Sequence, residues 1–210
     1  MQLNGPCPGE GPHPAFDLPA GKSMRIIKSL RADQDLIARF LAVLGRGLGI
    51  ASHSRSARPG FFIFASNFIQ EYLEAEYFKK EAVLLRALED CGFAPNQGPV
   101  GNMHLGHQKS REVSVILSEA ARQWQAGDDS GRAQVIWATS EFTGILRRHL
   151  DLLKNLIYPL LEQSLSEEDE QKVAGELNLI GFKVANPNSP DKYAKILDSL
   201  EEEVGEWQEK

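Results

Sequence analysis

Two cysteines, Cys7 and Cys91, among 210 residues cannot build a disulfide framework. They read as free thiols in a reducing cytoplasm. No uninterrupted run reaches the roughly 18 apolar residues of a membrane span, so no membrane partner is expected. The N-terminus lacks a basic flank followed by an apolar core, and no secretory signal is expected either. Positive charge is in deficit: the formal net charge is -6. A phosphate-binding surface is usually basic, so nucleic acid is not an expected partner. There is no convincing strand and no tandem repeat. A nucleophile beside a base, a phosphate-cradling glycine loop and a cysteine metal motif are all missing, so nothing supports enzyme activity.

What remains is an ordinary soluble composition, 42% hydrophobic and 25% charged, in a chain long enough for one sizeable core. Residues 1 to 23 are rich in proline and glycine and read as a flexible tail, with Met24 as an alternative start. Residues 24 to 210 read as one all-α domain. Ile26, Ile27, Leu30, Ile37, Leu41 and Leu44 recur at helical spacing, widened by Phe40 and Val43, and Gly45, Gly47 and Gly49 are expected to end that helix. Ser52 to Pro59 reads as a basic surface loop. A second helix is expected over Phe61 to Cys91, with Gly92 just past its end and Pro95 forbidding continuation. A third is expected over about Pro99 to Gln125, opened by Gly98-Pro99. The break at Gly127-Asp128-Asp129-Ser130-Gly131 leads to a fourth over about Arg132 to Leu165, bent near Pro159. Ser166 with Asp169 caps a shorter fifth helix. After an Asn186 to Pro190 loop, Asp191 to about Val204 forms a last amphipathic helix through Tyr193, Ile196, Leu197 and Leu200. Four long helices with short connections predict an antiparallel bundle, with one or two further helices flanking it.

Bundles build metal sites from inward side chains on facing helices. The second helix offers Tyr77 and Glu81 one turn apart. The third offers His107, with His104 three residues earlier and Arg111 one turn later. The fourth offers His149 among Ile145, Leu146, Leu150 and Leu153. Glu81, His107 and His149 make two imidazoles and a carboxylate, a set suited to one Fe(II) or Zn(II). Tyr77 could add a phenolate or an outer hydrogen bond. The competing reading is a core histidine with satisfied hydrogen bonds, and a Glu81 paired with Lys79, Lys80 or Arg111. His104 is expected to point elsewhere, and Arg111 to pack and balance charge near the site. His13 and His53 fall in the tail and a loop.

From about Leu30 to Glu203 the chain resembles the hemerythrin-like (HHE cation-binding) proteins. The resemblance rests on Asp33-Gln34-Asp35-Leu36-Ile37, on Glu76-Tyr77-Phe78-Lys79-Lys80-Glu81 with Leu84-Leu85-Arg86-Ala87-Leu88 and Gly92, on Gly98-Pro99-Val100 with Met103-His104-Leu105-Gly106-His107 and Arg111, and on His149 to Pro159. Asp191-Lys192-Tyr193 fits the family's last helix. It implies a hemerythrin-like four-helix bundle and a non-haem di-iron centre, whose ligand positions fall on Gln34, Tyr77, Glu81, His107, His149 and Leu153. Glu81, His107 and His149 keep the ligand type. Gln34 and Tyr77 stand where the family has histidine, and Leu153 where it has a bridging carboxylate. The donors left are too few for a standard pair of irons. Shifting the first helix by one residue would put Asp35 in place of Gln34, at the expense of the match at Leu36-Ile37.

Three functions follow. The first is a reduced metal site, with Glu81, His107 and His149 holding one non-haem iron or zinc, Tyr77 and either Gln34 or Glu76 beside it, and dioxygen or another small molecule as ligand. The second is haem or a flat organic cofactor in the bundle interior, with His107 or His149 as axial ligand. The third is a cofactor-free structural or regulatory bundle whose buried polar groups pair with one another. For a protein partner or a second copy the only surface clue is Trp207, read as an exposed aromatic.

Overall fold

The computed structural model describes residues 25–184 and 189–208. The expected tail, Cys7, His13, Met24 and Asn186 to Asn188 lie outside them. The described residues form helices joined by short turns, with no strand among them. α1 is Arg25–His53. α2 runs unbroken over 59–90, as Pro59–Phe68, a wide π-wound stretch Ile69–Tyr77, and Phe78–Asp90. α3 is Gly98–Gln125. α4 covers 129–164, as Asp129–Leu152, a π-wound Leu153–Ile157, and Tyr158–Ser164. α5 is Glu167–Val184 and α6 is Ser189–Gln208.

The turns follow from local chemistry. Gly92 and Gly127 have φ of 97° and 95°, a left-handed conformation that glycine adopts without strain. Each closes a two-bond C-terminal cap. Phe93 N–H donates to Leu88 C=O and Gly92 N–H to Glu89 C=O; Asp128 N–H donates to Gln123 C=O and Gly127 N–H to Trp124 C=O. Asp128 then caps α4 by accepting from Ser130 N–H at 2.9 Å. At α5, Ser166 Oγ accepts from Asp169 N–H at 3.1 Å, the cap that the sequence suggests.

Several boundaries differ from expectation: α2 starts at Pro59 and α4 at Asp129, two and three residues early. α1 does not stop at Gly45 but continues to His53. A glycine weakens a helix interior by only about 1 kcal/mol relative to alanine, which packing can offset. Gly47 is needed where it is, since a Cβ there would sit 2.4 Å from the Phe61 ring. The last carbonyls of α1 are then covered by Arg132, which donates to Ala51 and Ser54 C=O at 2.7 Å each. α6 starts two residues earlier and ends a turn later than its apolar pattern suggests. That extra turn corrects the reading of Trp207: it is only 4% exposed and packs edge-on against Phe61, centroids 5.2 Å apart.

α3 and α4 pack antiparallel along most of their length; α3 also packs on α2, and α4 on α1. Phe40 of α1 stacks on Phe68 of α2 at 4.4 Å. α6 lies against both α1 and α2. It is seated by Tyr193 beside Phe68 and Tyr72, and pinned by Arg39 to Asp198 and Glu201. α5 covers the second half of α2. The core is continuous, from Ile37 and Leu44 through Phe62, Met103, Leu117, Phe142 and Leu146 to Leu161. α1 contains a window with mean hydropathy 1.2, long and apolar enough by those measures to cross a membrane. Its Ile37, Phe40 and Leu44 are buried while Lys28, Arg31, Asp35 and Arg46 are exposed, the two-faced pattern of a helix packed on a core.

Both π-wound stretches have readable causes or consequences. A proline lacks an N–H and its ring clashes with the carbonyl four residues back. The wide turn at Leu153–Ile157, just before Pro159, relieves that clash without ending the helix. In α2 the buried pairs Phe61-Phe62, Ala65-Ser66, Phe68-Ile69 and Tyr72-Leu73 advance by three or four residues, and then Tyr77-Phe78 follows after five. A π turn takes up the additional residue. It keeps Tyr77, Phe78 and Glu81 on the inner face.

Candidate metal centre

Three helices meet at Glu81, His107 and His149. All are buried, at 0%, 4% and 4% exposure. His107 Nε2 donates to Glu81 Oε2 at 2.6 Å, and His149 Nε2 donates to the same oxygen at 2.7 Å. The donor atoms of the three residues lie within 4.8 Å of one another, close enough to hold a metal ion. Phe78 fixes the rings: it stacks on His107 at 4.2 Å and lies 5.7 Å from His149. Gly106 makes room for the second imidazole, because a Cβ there would sit 2.8 Å from His149 Nδ1.

Burial pushes the Glu81 carboxyl up, but the two imidazoles outweigh it and hold the group at about 2. Glu81 is therefore an anion at neutral pH. Burial lowers His107 below its usual range, against the pull of Glu81, and the Arg111 charge lowers it further. His149 Nδ1 is buried with no hydrogen-bond partner. Glu81 Oε1 and the Tyr77 hydroxyl are also buried without a hydrogen bond. Three orphaned polar atoms in one place are unusual, since most buried polar groups are paired.

These residues fit an ion in part. Donors around a tetrahedral ion at about 2.0–2.1 Å lie roughly 3.3 Å apart. The imidazoles would have to open from Glu81 by roughly 0.6 Å, within the reach of small side-chain rotations. A histidine on a metal usually has a partner on its other nitrogen, and His149 has none.

The other expected residues fall as follows. Tyr77 is wholly buried, and burial, with Glu81 and Tyr158 next, raises its phenol well above the usual range. Gln34 acts on the Tyr77 phenol from α1 while its own Nε2 donates to the Tyr158 hydroxyl at 2.5 Å. Leu153 is buried at the start of the π turn one helical turn after His149. Asp35 is exposed, so a one-residue shift of α1 brings no carboxylate inward. Lys80 does not neutralise Glu81; it pairs with Asp33 at 2.8 Å, which also accepts from the Tyr72 hydroxyl. His104 contacts Glu89 at 2.8 Å near the surface, and Arg111 is exposed. Sequence reasoning missed Gly106, Phe78 and Tyr158 as parts of the site. Only the five-residue step before Tyr77 could have drawn attention to that face.

Comparison of the chain with protein-family models, curated proteins and solved structures gives no match. The fold and the donor set therefore define the class: an all-helical bundle whose buried glutamate and two histidines could hold a metal ion.

Proposed function

We propose that the chain is a hemerythrin-like cytoplasmic protein with a reduced non-haem site, in which Glu81, His107 and His149 hold one iron or zinc ion and leave a position open to dioxygen or another small molecule. The observation that supports this reading is the aim of two buried imidazole nitrogens at one carboxylate oxygen whose partner oxygen has no hydrogen bond. Two imidazoles and a carboxylate with open positions suit Fe(II), and the same set suits catalytic-type Zn(II). Tyr77, whose phenol interacts with Glu81, is a further oxygen donor, and Gln34 interacts with that phenol in turn.

The test is metal analysis of protein grown in iron-rich medium and again after anaerobic reconstitution with Fe(II) or Zn(II). About one equivalent per chain is expected, abolished in His107→Ala and Glu81→Gln variants whose circular dichroism stays helical. Less than about a tenth of an equivalent in both preparations removes the reading.

The cofactor-free reading has its own support, because the two Nε2–H groups already pair with Glu81 and His149 Nδ1 lacks the usual outer partner. Under it, the same variants lose stability and nothing else. Haem is disfavoured: both Nε2 atoms face Glu81 and Phe78 lies on the His107 ring. A Soret band in the purified protein would reinstate it.

A further inference from the structure

Contacts of two kinds hold α6 on α1 and α2. Its ion pairs, Arg39 with Asp198 and Glu201, Lys192 with Glu71 and Arg58 with Glu206, join partly exposed side chains. Pairs of that kind contribute little and weaken with salt. The other contact is aromatic. Tyr193 of α6 lies on Tyr72 of α2 with ring centroids 4.7 Å apart and the planes tilted by 46°. Both rings are buried, at 5% and 4% exposure. Phe68 closes the third side, 5.2 Å from Tyr72 and 6.0 Å from Tyr193.

Each hydroxyl ends on a carboxylate of its own. Tyr72 donates to Asp33 Oδ1 at 2.7 Å. Tyr193 donates to Glu76 Oε1 at 2.5 Å, with the Glu71 carbonyl as a second acceptor at 3.2 Å. The two acids are neighbours: burial pushes the Glu76 carboxyl up, and the Asp33 charge adds to it. The hydroxyl ends of the two rings therefore lie together, and with them the ortho carbons that flank each C–O bond. Burial first, and the carboxylates next, raise both phenols above their usual range, so each keeps its proton at neutral pH. A protonated phenol gives up an electron readily only when its proton can leave in the same step. Asp33 and Glu76 stand where that proton would go.

We propose that Tyr72 and Tyr193 form a site of oxidative modification, at which two equivalents of a one-electron oxidant of the class of an oxidised transition-metal complex join the two rings by a carbon–carbon bond and fasten α6 to α2. Each phenol gives one electron to the oxidant and its hydroxyl proton to its carboxylate, Tyr72 to Asp33 and Tyr193 to Glu76. The two phenoxyl radicals pair their odd electrons in a bond between ortho carbons. Each ring then passes the hydrogen of its bonded carbon to its oxygen and is a phenol again. In sum two electrons and two protons leave, and the chain is lighter by two hydrogen atoms. Electrons tunnel through packed protein, so burial does not shield the pair from the oxidant, while it does keep the radicals from dissolved reductants. The step needs no ion at Glu81 and stands apart from the function proposed above.

The test uses the full chain, treated with chelator and illuminated at low concentration with ruthenium tris-bipyridyl and persulfate. The monomer band on a denaturing gel should gain the blue emission of dityrosine. Tandem mass spectrometry of its tryptic digest should join the segment that carries Tyr72 to the segment that carries Tyr193. Tyr72→Phe and Tyr193→Phe keep the rings and should lose that cross-linked peptide, and Tyr158→Phe should keep it. Glu76→Gln cannot take the proton and should slow formation of the bond roughly 100-fold. A monomer without dityrosine, dityrosine only between chains, or a bond to a tyrosine other than these two would overturn the proposal. An undiminished rate in Glu76→Gln would overturn the proton path. The wild-type digest decides the pairing even where a variant fails to fold, and none of these readouts depends on whether the chain takes up metal.

Discussion

Glu81 should make the metal-free protein acid-sensitive in a narrow and assignable range. The carboxyl is held at about 2 in the fold by His149 and His107 against the opposing effect of burial, and it returns to about 4.5 when the chain unfolds. Each pKa unit is about 1.4 kcal/mol, so the pairing contributes on the order of 3 kcal/mol at neutral pH. Because the folded value is the lower one, the unfolded chain takes up this proton first. The contribution is complete above about 4.5 and is lost as pH falls toward about 2. Full burial means that solvent does not screen it. Glu81→Gln keeps the shape and removes the titration. Urea unfolding of chelator-treated wild type and variant, from pH 7 to pH 2, should give a stability difference that shrinks by about 3 kcal/mol below pH 4.5. The other carboxylates titrate in both proteins and cancel. Curves that stay parallel over that range would refute the claim that the imidazoles hold this group ionised. His107 adds a second slope at higher pH. Its folded value lies below 6.5, so stability falls as pH drops through the range just under 6.5.

Gly106→Ala should press on His149, since the new Cβ starts 2.8 Å from Nδ1; Zn(II) titration should show affinity about 10- to 100-fold weaker with helix content retained, and unchanged affinity would remove Gly106 from the site. Trp207→Ala should cost about 3–5 kcal/mol in urea unfolding, because the ring is buried against Phe61; a cost below about 1 kcal/mol would mean that it is exposed in solution. Lys80→Met leaves Asp33 with the Tyr72 hydroxyl as its remaining partner here and should cost about 1–3 kcal/mol, read from the same unfolding curves.

Much of the fold was legible because it depends on period and punctuation. The apolar recurrence from Ile26 to Leu44, Gly92 and Gly127 past helix ends, Ser166 with Asp169, and Pro99 at a helix start each act within a few residues. The misreadings have tertiary causes. Gly45, Gly47 and Gly49 look like a stop, but Gly47 is the space that Phe61 fills and Arg132 covers the carbonyls beyond. Trp207 looks exposed until α6 is seen lying on α2. For the site, the helical phase of Glu81, His107 and His149 indicated three inward donors on three helices. Spacing within one helix carries no distance between helices, so their meeting at a single carboxylate oxygen was not legible. The same holds for Gly106, whose role exists only in contact with a residue 43 positions later.

The donor inventory also bears on how many ions this interior can carry. Beyond the triad the inward groups are a neutral phenol at Tyr77, a Gln34 amide already bonded to Tyr158, and Leu153, which has no donor atom. One dication with one carboxylate leaves a net charge of +1 in a buried place. A second dication would raise that to +3 with no further carboxylate grouped with the triad among the described residues, and an unpaired buried charge costs several kcal/mol. Zn(II) titration is therefore expected to saturate at one ion per chain. Leu153→Glu tests the reasoning from the other side. Without metal the new carboxyl is buried near Glu81, and the variant should be less stable than wild type, most of all at neutral pH where both would ionise. With metal present the second carboxylate offsets the surplus positive charge, and the variant should gain more stability from saturating Zn(II) than wild type does. A variant that loses stability equally with and without Zn(II) would mean that position 153 does not face the ion, and the charge argument for a single site would fall with it.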